Sequence, residues 1–91
     1  MSVQLQLPPV LRPLAGGERR LTVEGSSIGA ALRDLSERHP ALALHVFDER
    51  GAIRHNIVFI HEGELVRARE AAAHPIKPGD EIVLANALAG G

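Results

Sequence analysis

The chain has 91 residues, a net charge of −1 and a hydrophobic share of 45%, with two aromatics and no cysteine. That length fits one small domain with one modest core, and the missing thiols exclude disulfides, thiolate metal sites and cysteine nucleophiles. There is neither a basic stripe nor a set of stacking rings for nucleic acid, and no apolar run near the roughly 20 residues that span a bilayer, so no nucleic acid and no membrane are expected as partners.

The N-terminal "SVQLQL" alternates, with Val3, Leu5 and Leu7 on one face and Gln4 and Gln6 on the other. This is the pattern of a half-buried strand rather than a signal-peptide core, and a soluble, cytoplasmic domain is expected. Pro8 and Pro9 end the strand because proline cannot donate to the ladder. The stretch "PPVLRPLAGGER" is predicted to be a loop turning at Gly16-Gly17. Leu21 and Val23 then alternate in a second strand, which completes a wide-tipped hairpin. In "SSIGAALRDLSERHP", Ile28, Ala31, Leu32 and Leu35 fall at i, i+3, i+4 and i+7, the apolar stripe of a helix. Ser26 or Ser27 can cap its start, Arg33–Glu37 and Asp34–Arg38 are i,i+4 pairs on its wet side, and Pro40 stops it near Arg38 or His39.

In "ALALHVFDERGAIRH", Leu42, Leu44 and Val46 fit a short strand or a covering segment. Ile57 to Ile60 is a clearer strand, Glu62-Gly63 a turn and Leu65-Val66 a short partner strand. "REAAAH" fits one helical turn. Pro78-Gly79 turns the chain into a last strand through Ile82, Val83 and Leu84. Its alternation predicts Ile82 and Leu84 toward the core and Val83 on the other face. The order β-β-α-β-β-β describes an α+β roll, a mixed sheet with one main helix across one face. The strand after the helix is expected to return beside the first. Residues 1–84 form the domain, and 85–91 a flexible, extended tail ending in Gly-Gly.

No catalytic constellation stands out. His39, His45, His55, His61 and His74 are spaced by 6, 10, 6 and 13 residues, none of them the i,i+4 of a helical zinc pair, and all are read as surface or loop histidines. The carboxylates sit at turns or on the wet helix face and are read as solvated. No metal site and no catalytic residue are expected.

The tail is more informative. A C-terminal carboxylate is ionised and inert near neutral pH, but an external enzyme can activate it as an acyl-adenylate. Threading a chain end into a narrow nucleotide pocket requires residues without side chains, and glycine permits that close approach. Gly90 and Gly91 meet the requirement, Ala89 adds little bulk, and Leu88 can anchor just outside.

The segments "LPPVLRPLAGGE", "SSIGAALRDL" and "PGDEIVLANALAGG", together with the strand order, resemble the ubiquitin-like (β-grasp) sulfur carriers of the ThiS/MoaD type over essentially the whole chain. Within that group the likeness is strongest to the mycobacterial-type carriers of cysteine biosynthesis. The resemblance implies a carrier protein and not an enzyme. An adenylating enzyme of the ubiquitin-activating-like MoeB/ThiF type would consume ATP and charge Gly91, and sulfur would then replace a carboxylate oxygen to give a thiocarboxylate. No cofactor is bound by the carrier itself. The implied partners are a sulfur-acceptor enzyme, a pyridoxal-phosphate cysteine synthase in the cysteine branch, and a metalloprotease that releases the product. Val83 and Asn86 are candidate docking residues, Asn86 standing where many relatives carry proline. A small subunit of molybdopterin synthase, a ubiquitin-like protein modifier and a plain interaction domain remain as alternatives.

Overall fold

The computed structural model describes residues 2–86. Strand β1 (Ser2–Gln6) and strand β2 (Arg20–Glu24) pair antiparallel with Val3 opposite Val23 and Leu5 opposite Leu21. All four side chains are buried on one face of the sheet, as the alternation requires. The connection between the strands is more ordered than a loop. Pro9–Ala15 is a 3₁₀ helix that ends on Gly16 in the left-handed region. Pro9 and Pro13 have φ preset near the value a 3₁₀ turn uses. The turn buries Leu11 and Ala15 as part of the core.

Helix α1 (Ile28–Arg38) begins on Ser27, whose Oγ accepts from the Ala30 amide at 3.1 Å. Its stripe of Ile28, Ala31, Leu32 and Leu35 is fully buried, and the Asp34–Arg38 pair closes at 2.7 Å on the exposed side. Gly29 is required there: a Cβ would stand 2.6 Å from the carbonyl oxygen of Ala72.

Pro40 stops α1 and at once starts another helix, α2 (Pro40–Val46), with proline in its first turn. Of the two readings offered for Leu42, Leu44 and Val46, the strand is therefore corrected, and the covering segment is a helix. Leu42 and Val46, four residues apart, are buried on one helical face, while Leu44 is 76% exposed. Three apolar residues at spacing two cannot decide between the periods when one of them faces solvent.

Strands β3 (Ile57–His61) and β4 (Glu64–Arg67) form the second hairpin, followed by the single turn α3 (Ala68–Ala71). Strand β5 (Glu81–Asn86) pairs parallel with β1 and antiparallel with β3. The sheet order is β2-β1-β5-β3-β4. The strand that returns beside β1 is thus β5, and not the first strand after the helix as expected. The ladder also continues past Leu84, with Ala85 opposite Val58 and Asn86 opposite Ile57. Helices α1 and α2 pack together over the buried face, giving the expected α+β roll with a mixed sheet.

The loop after α2 is tied by a carboxylate. Asp48 Oδ1 accepts from the amides of Arg50 at 2.9 Å and Ala52 at 3.0 Å. The Ala52 amide, then that of Arg50, holds the Asp48 carboxyl below its ordinary value of 3.8. The stabilising contribution is complete above pH 3.8 and is lost as pH falls through the lower folded-state value. In hydrogen exchange, Arg50 and Ala52 should therefore lose protection at acid pH before the sheet amides do. Asp48→Asn should remove that pH dependence.

Candidate functional site

Beta strand β5 runs through the middle of the sheet, so its alternate residues address two surfaces. Ile82 and Leu84 are buried against the helices, and Val83 is half-buried on the opposite face, in the expected register. Across that open face Val83 lies between Gln6 of β1 and Ile60 of β3, and Ile60 in turn faces Leu65 of β4. Ile60 is 40% and Leu65 is 55% exposed.

The open face has two halves. Over β2 and β1 it is polar, with Gln4 Nε2 donating to Thr22 Oγ1 at 2.9 Å and Arg20 paired to Glu81 at 2.8 Å. Over β5, β3 and β4 it carries Val83, Ala85, Val58, Ile60 and Leu65, with Arg67 at the margin. An apolar strip of this kind with a charged rim has the composition of a protein-docking surface. Ile60 and Leu65 were not singled out from the sequence. Each looks like an ordinary strand residue until the register puts Ile60 beside Val83 and Leu65 beside Ile60.

Asn86, the other candidate docking residue, belongs to a different surface. It is on the helix-side phase of β5, exposed at the end of the ladder. A depression there is lined by Val10, Leu11, Leu44, His45, Arg54, Asn56 and Asn86. Val10, at 65% exposure, and Leu44 give it apolar lips. The two elements misread in sequence, the 3₁₀ turn and α2, thus flank the last described residue of β5. Leu88, Ala89, Gly90 and Gly91 lie outside the described residues.

A third cluster corrects the reading of the histidines. His61, at the end of β3, is buried at 5% exposure. Its Nδ1 is 2.9 Å from His74 Nε2 and its Nε2 is 2.8 Å from Asp80 Oδ2. The two rings meet edge to face. Asp80 Oδ2 also accepts from the Lys77 amide at 2.9 Å. The His61 hydrogen bond, then the Lys77 amide, lowers the Asp80 carboxyl below its ordinary value. Spacings of 13 and 19 residues conceal this group in the sequence. The available signal was the phase of β3: with Ile57 and Phe59 inward, His61 must be inward too.

No helix among the described residues is long and apolar enough to cross a membrane.

The model of the ThiS family matches residues 5–91. The sulfur carrier protein CysO of Mycobacterium tuberculosis (strain H37Rv) is 30% identical over 93 residues, covering 100% of both chains. SAMP1 from Haloferax volcanii superposes with a TM-score of 0.83 at 30% identity, again over 100% of both chains. A chain of the Amycolatopsis orientalis BexX/CysO complex superposes with a TM-score of 0.81 at 24% identity, covering 98% of this chain and 99% of that one, a likeness of fold. The architecture is the ubiquitin-like β-grasp that these structures share.

Proposed function

The chain belongs to the ThiS family, and on that premise we propose that it is a sulfur carrier whose Gly91 carboxylate is the loading point. The observation that carries the reading is the family match, which runs through Gly90 and Gly91. An adenylating enzyme of the MoeB/ThiF type joins AMP to the Gly91 carboxylate at the expense of ATP. A sulfur donor then displaces AMP, leaving a thiocarboxylate. The carrier holds no cofactor of its own. Its contribution is an apolar strip, Val83, Ile60 and Leu65, for the partner to grip, and a narrow chain end for the partner's pocket. In this reading the protein is a co-substrate of its partner enzymes, and not a catalyst.

The test is the intact mass after incubation with a cognate adenylating enzyme, ATP and a sulfur source. The expected product exchanges one oxygen for sulfur, and fragmentation confines the change to the last peptide. Sulfur placed elsewhere, or no exchange with any activating enzyme of this class, rejects the reading.

The similarity to CysO supports cysteine formation as the destination of the sulfur, with a pyridoxal-phosphate synthase supplying an activated serine. The cysteine stays acylated by Gly91 until a metalloprotease releases it. Mixing the thiocarboxylated protein with such a synthase and the activated serine should add one alanyl unit to the mass. Transfer only to a pterin precursor, in a stable complex with a larger subunit, assigns the protein to molybdopterin synthesis instead. The likeness to SAMP1, a small archaeal modifier protein, supports a second reading, conjugation of Gly91 to target lysines. Lys77 is the chain's one lysine, which leaves a single site for self-extension through side chains. Lysine adducts in a lysate would favour this second reading.

A further inference from the structure

We propose that His61, Glu62 and Asp80 form a binding site for a divalent transition-metal ion of the zinc class, with His74 as the outer partner that orients His61. The site joins the β3–β4 turn to the loop entering β5.

The donors are already gathered. One ligand atom from each of His61, Glu62 and Asp80 lies within 4.8 Å of the others. His61 Nε2 and Asp80 Oδ2 are 2.8 Å apart. Two ligands on a tetrahedral zinc ion, each bonded at about 2.0–2.2 Å, stand about 3.3–3.6 Å apart, so an ion enters between them if they separate by roughly 0.5–0.8 Å. Imidazole nitrogen with carboxylate oxygen suits zinc and its neighbours, whereas magnesium and calcium favour all-oxygen sets.

Two features of the chain make more sense with a cation present. Glu62 and Asp80 bring two carboxylates to the one buried imidazole, with a ligand atom of each within 4.8 Å of the others. An ion among them attracts both carboxylates at once. Glu62 also has φ of 54°, the one positive value outside glycine among the described residues. Glu62-Gly63 is a tight hairpin turn whose first position favours Asn, Asp or Gly. A glutamate there keeps a long carboxylate next to His61 at a backbone cost.

His74 supplies what a metal-bound histidine needs behind it. A ligating imidazole ordinarily hydrogen-bonds through its other nitrogen, which fixes its tautomer. Without the ion, His61 Nε2–H donates a hydrogen bond to Asp80 Oδ2. His61 Nδ1 then accepts from His74 Nε2. With the ion on Nε2, that Nε2 proton leaves to solvent. The proton between the rings moves from His74 Nε2 to His61 Nδ1, and His74 takes one from water at its own Nδ1. The pair stays neutral and its count of two protons is unchanged.

His61 pairs with Ile82, near the start of β5, whereas Asn86, the last described residue of that strand, pairs with Ile57 at its other end. The site is therefore at the opposite end of the strand from the proposed loading end, and its test is independent of sulfur transfer. Zinc is titrated into the full-length protein, with calorimetry for the stoichiometry and nitrogen-15 histidine spectra for the tautomers. The expected result is one ion per chain, a switch of His61 from Nε2–H to Nδ1–H, and unchanged signals from His39, His45 and His55. Glu62→Gln changes an exposed turn residue and should weaken binding by at least about tenfold, and His74→Phe by about 10–100-fold. Absence of binding, binding unaltered in Glu62→Gln, or shifts confined to His39, His45 and His55 would overturn the assignment.

Discussion

Gly90→Val is expected to abolish adenylation while leaving the domain as stable as the parent. The stability half follows from where the core ends. Ile82 and Leu84 are the last buried residues of β5 among those described, and the last described pair of the ladder is Asn86 opposite Ile57. A substitution four residues further on removes no described core contact, so the change in stability should be within about 0.5 kcal/mol. The activity half follows from the threading requirement. Valine adds a branched side chain one residue from the acyl group, in a channel shaped for bare backbone. AMP transfer from ATP, followed by intact mass, is the measurement. Gly90→Ala should fall between the two. Full AMP transfer to the valine variant would mean that the partner's channel is not narrow, and would remove the reason for two glycines.

Ile82→Ala and Val83→Glu, adjacent on one strand, should fail in opposite ways. Ile82 is fully buried beneath the helices, and truncating it should cost about 2–5 kcal/mol through lost transfer energy and a residual cavity. A domain this size has about 5–15 kcal/mol in all, and each kcal/mol shifts its Tm by about 4–8 °C, so thermal unfolding should register the change plainly. Val83 is on the open face between Gln6 and Ile60. A carboxylate there remains solvated in the free protein, and Tm should move little. Docked against an apolar surface it loses that solvation, and affinity for the adenylating enzyme should drop by about tenfold or more, equivalent to 1.4 kcal/mol. A melted Val83→Glu beside an intact Ile82→Ala would place the wrong residue in the core.

These adjacent residues also show why much of the fold was legible in the sequence. A one-residue slip exchanges the two faces of a strand, and the patterns Val3-Leu5-Leu7, Leu21-Val23 and Ile82-Leu84 each admit one burial phase. Helix α1 was as clear, with its stripe, serine cap and proline stop. The 3₁₀ turn and α2 were not, because both are short and proline-led, and Leu44 is apolar yet exposed. Strand order was hidden for a different reason. Local patterning says which residues face inward, but it does not say that β5 inserts between β1 and β3. That choice depends on contacts between distant segments, and the docking strip and the His61 cluster depend on it too. Val83 was legible as an outward residue, but Ile60 beside it and Leu65 beyond Ile60 come from strands whose placement was not.

The central position of β5 also fixes an order of events. Among the described residues, strands β2-β1 and β3-β4 are separate hairpins with no direct edge between them, and β5 alone joins them in the sheet. Isolated hairpins are marginal in water, so during synthesis neither pair has a completed sheet to enter. The joining contacts, Leu5 with Ile82 and Phe59 with Leu84, link distant parts of the chain, and such closures are slow relative to helix formation. A nascent or truncated chain that stops before Glu81 therefore lacks both the assembled sheet and the Val83–Ile60 strip. On the proposed reading, a partner that grips that strip would engage the assembled fold and pass over fragments that lack it.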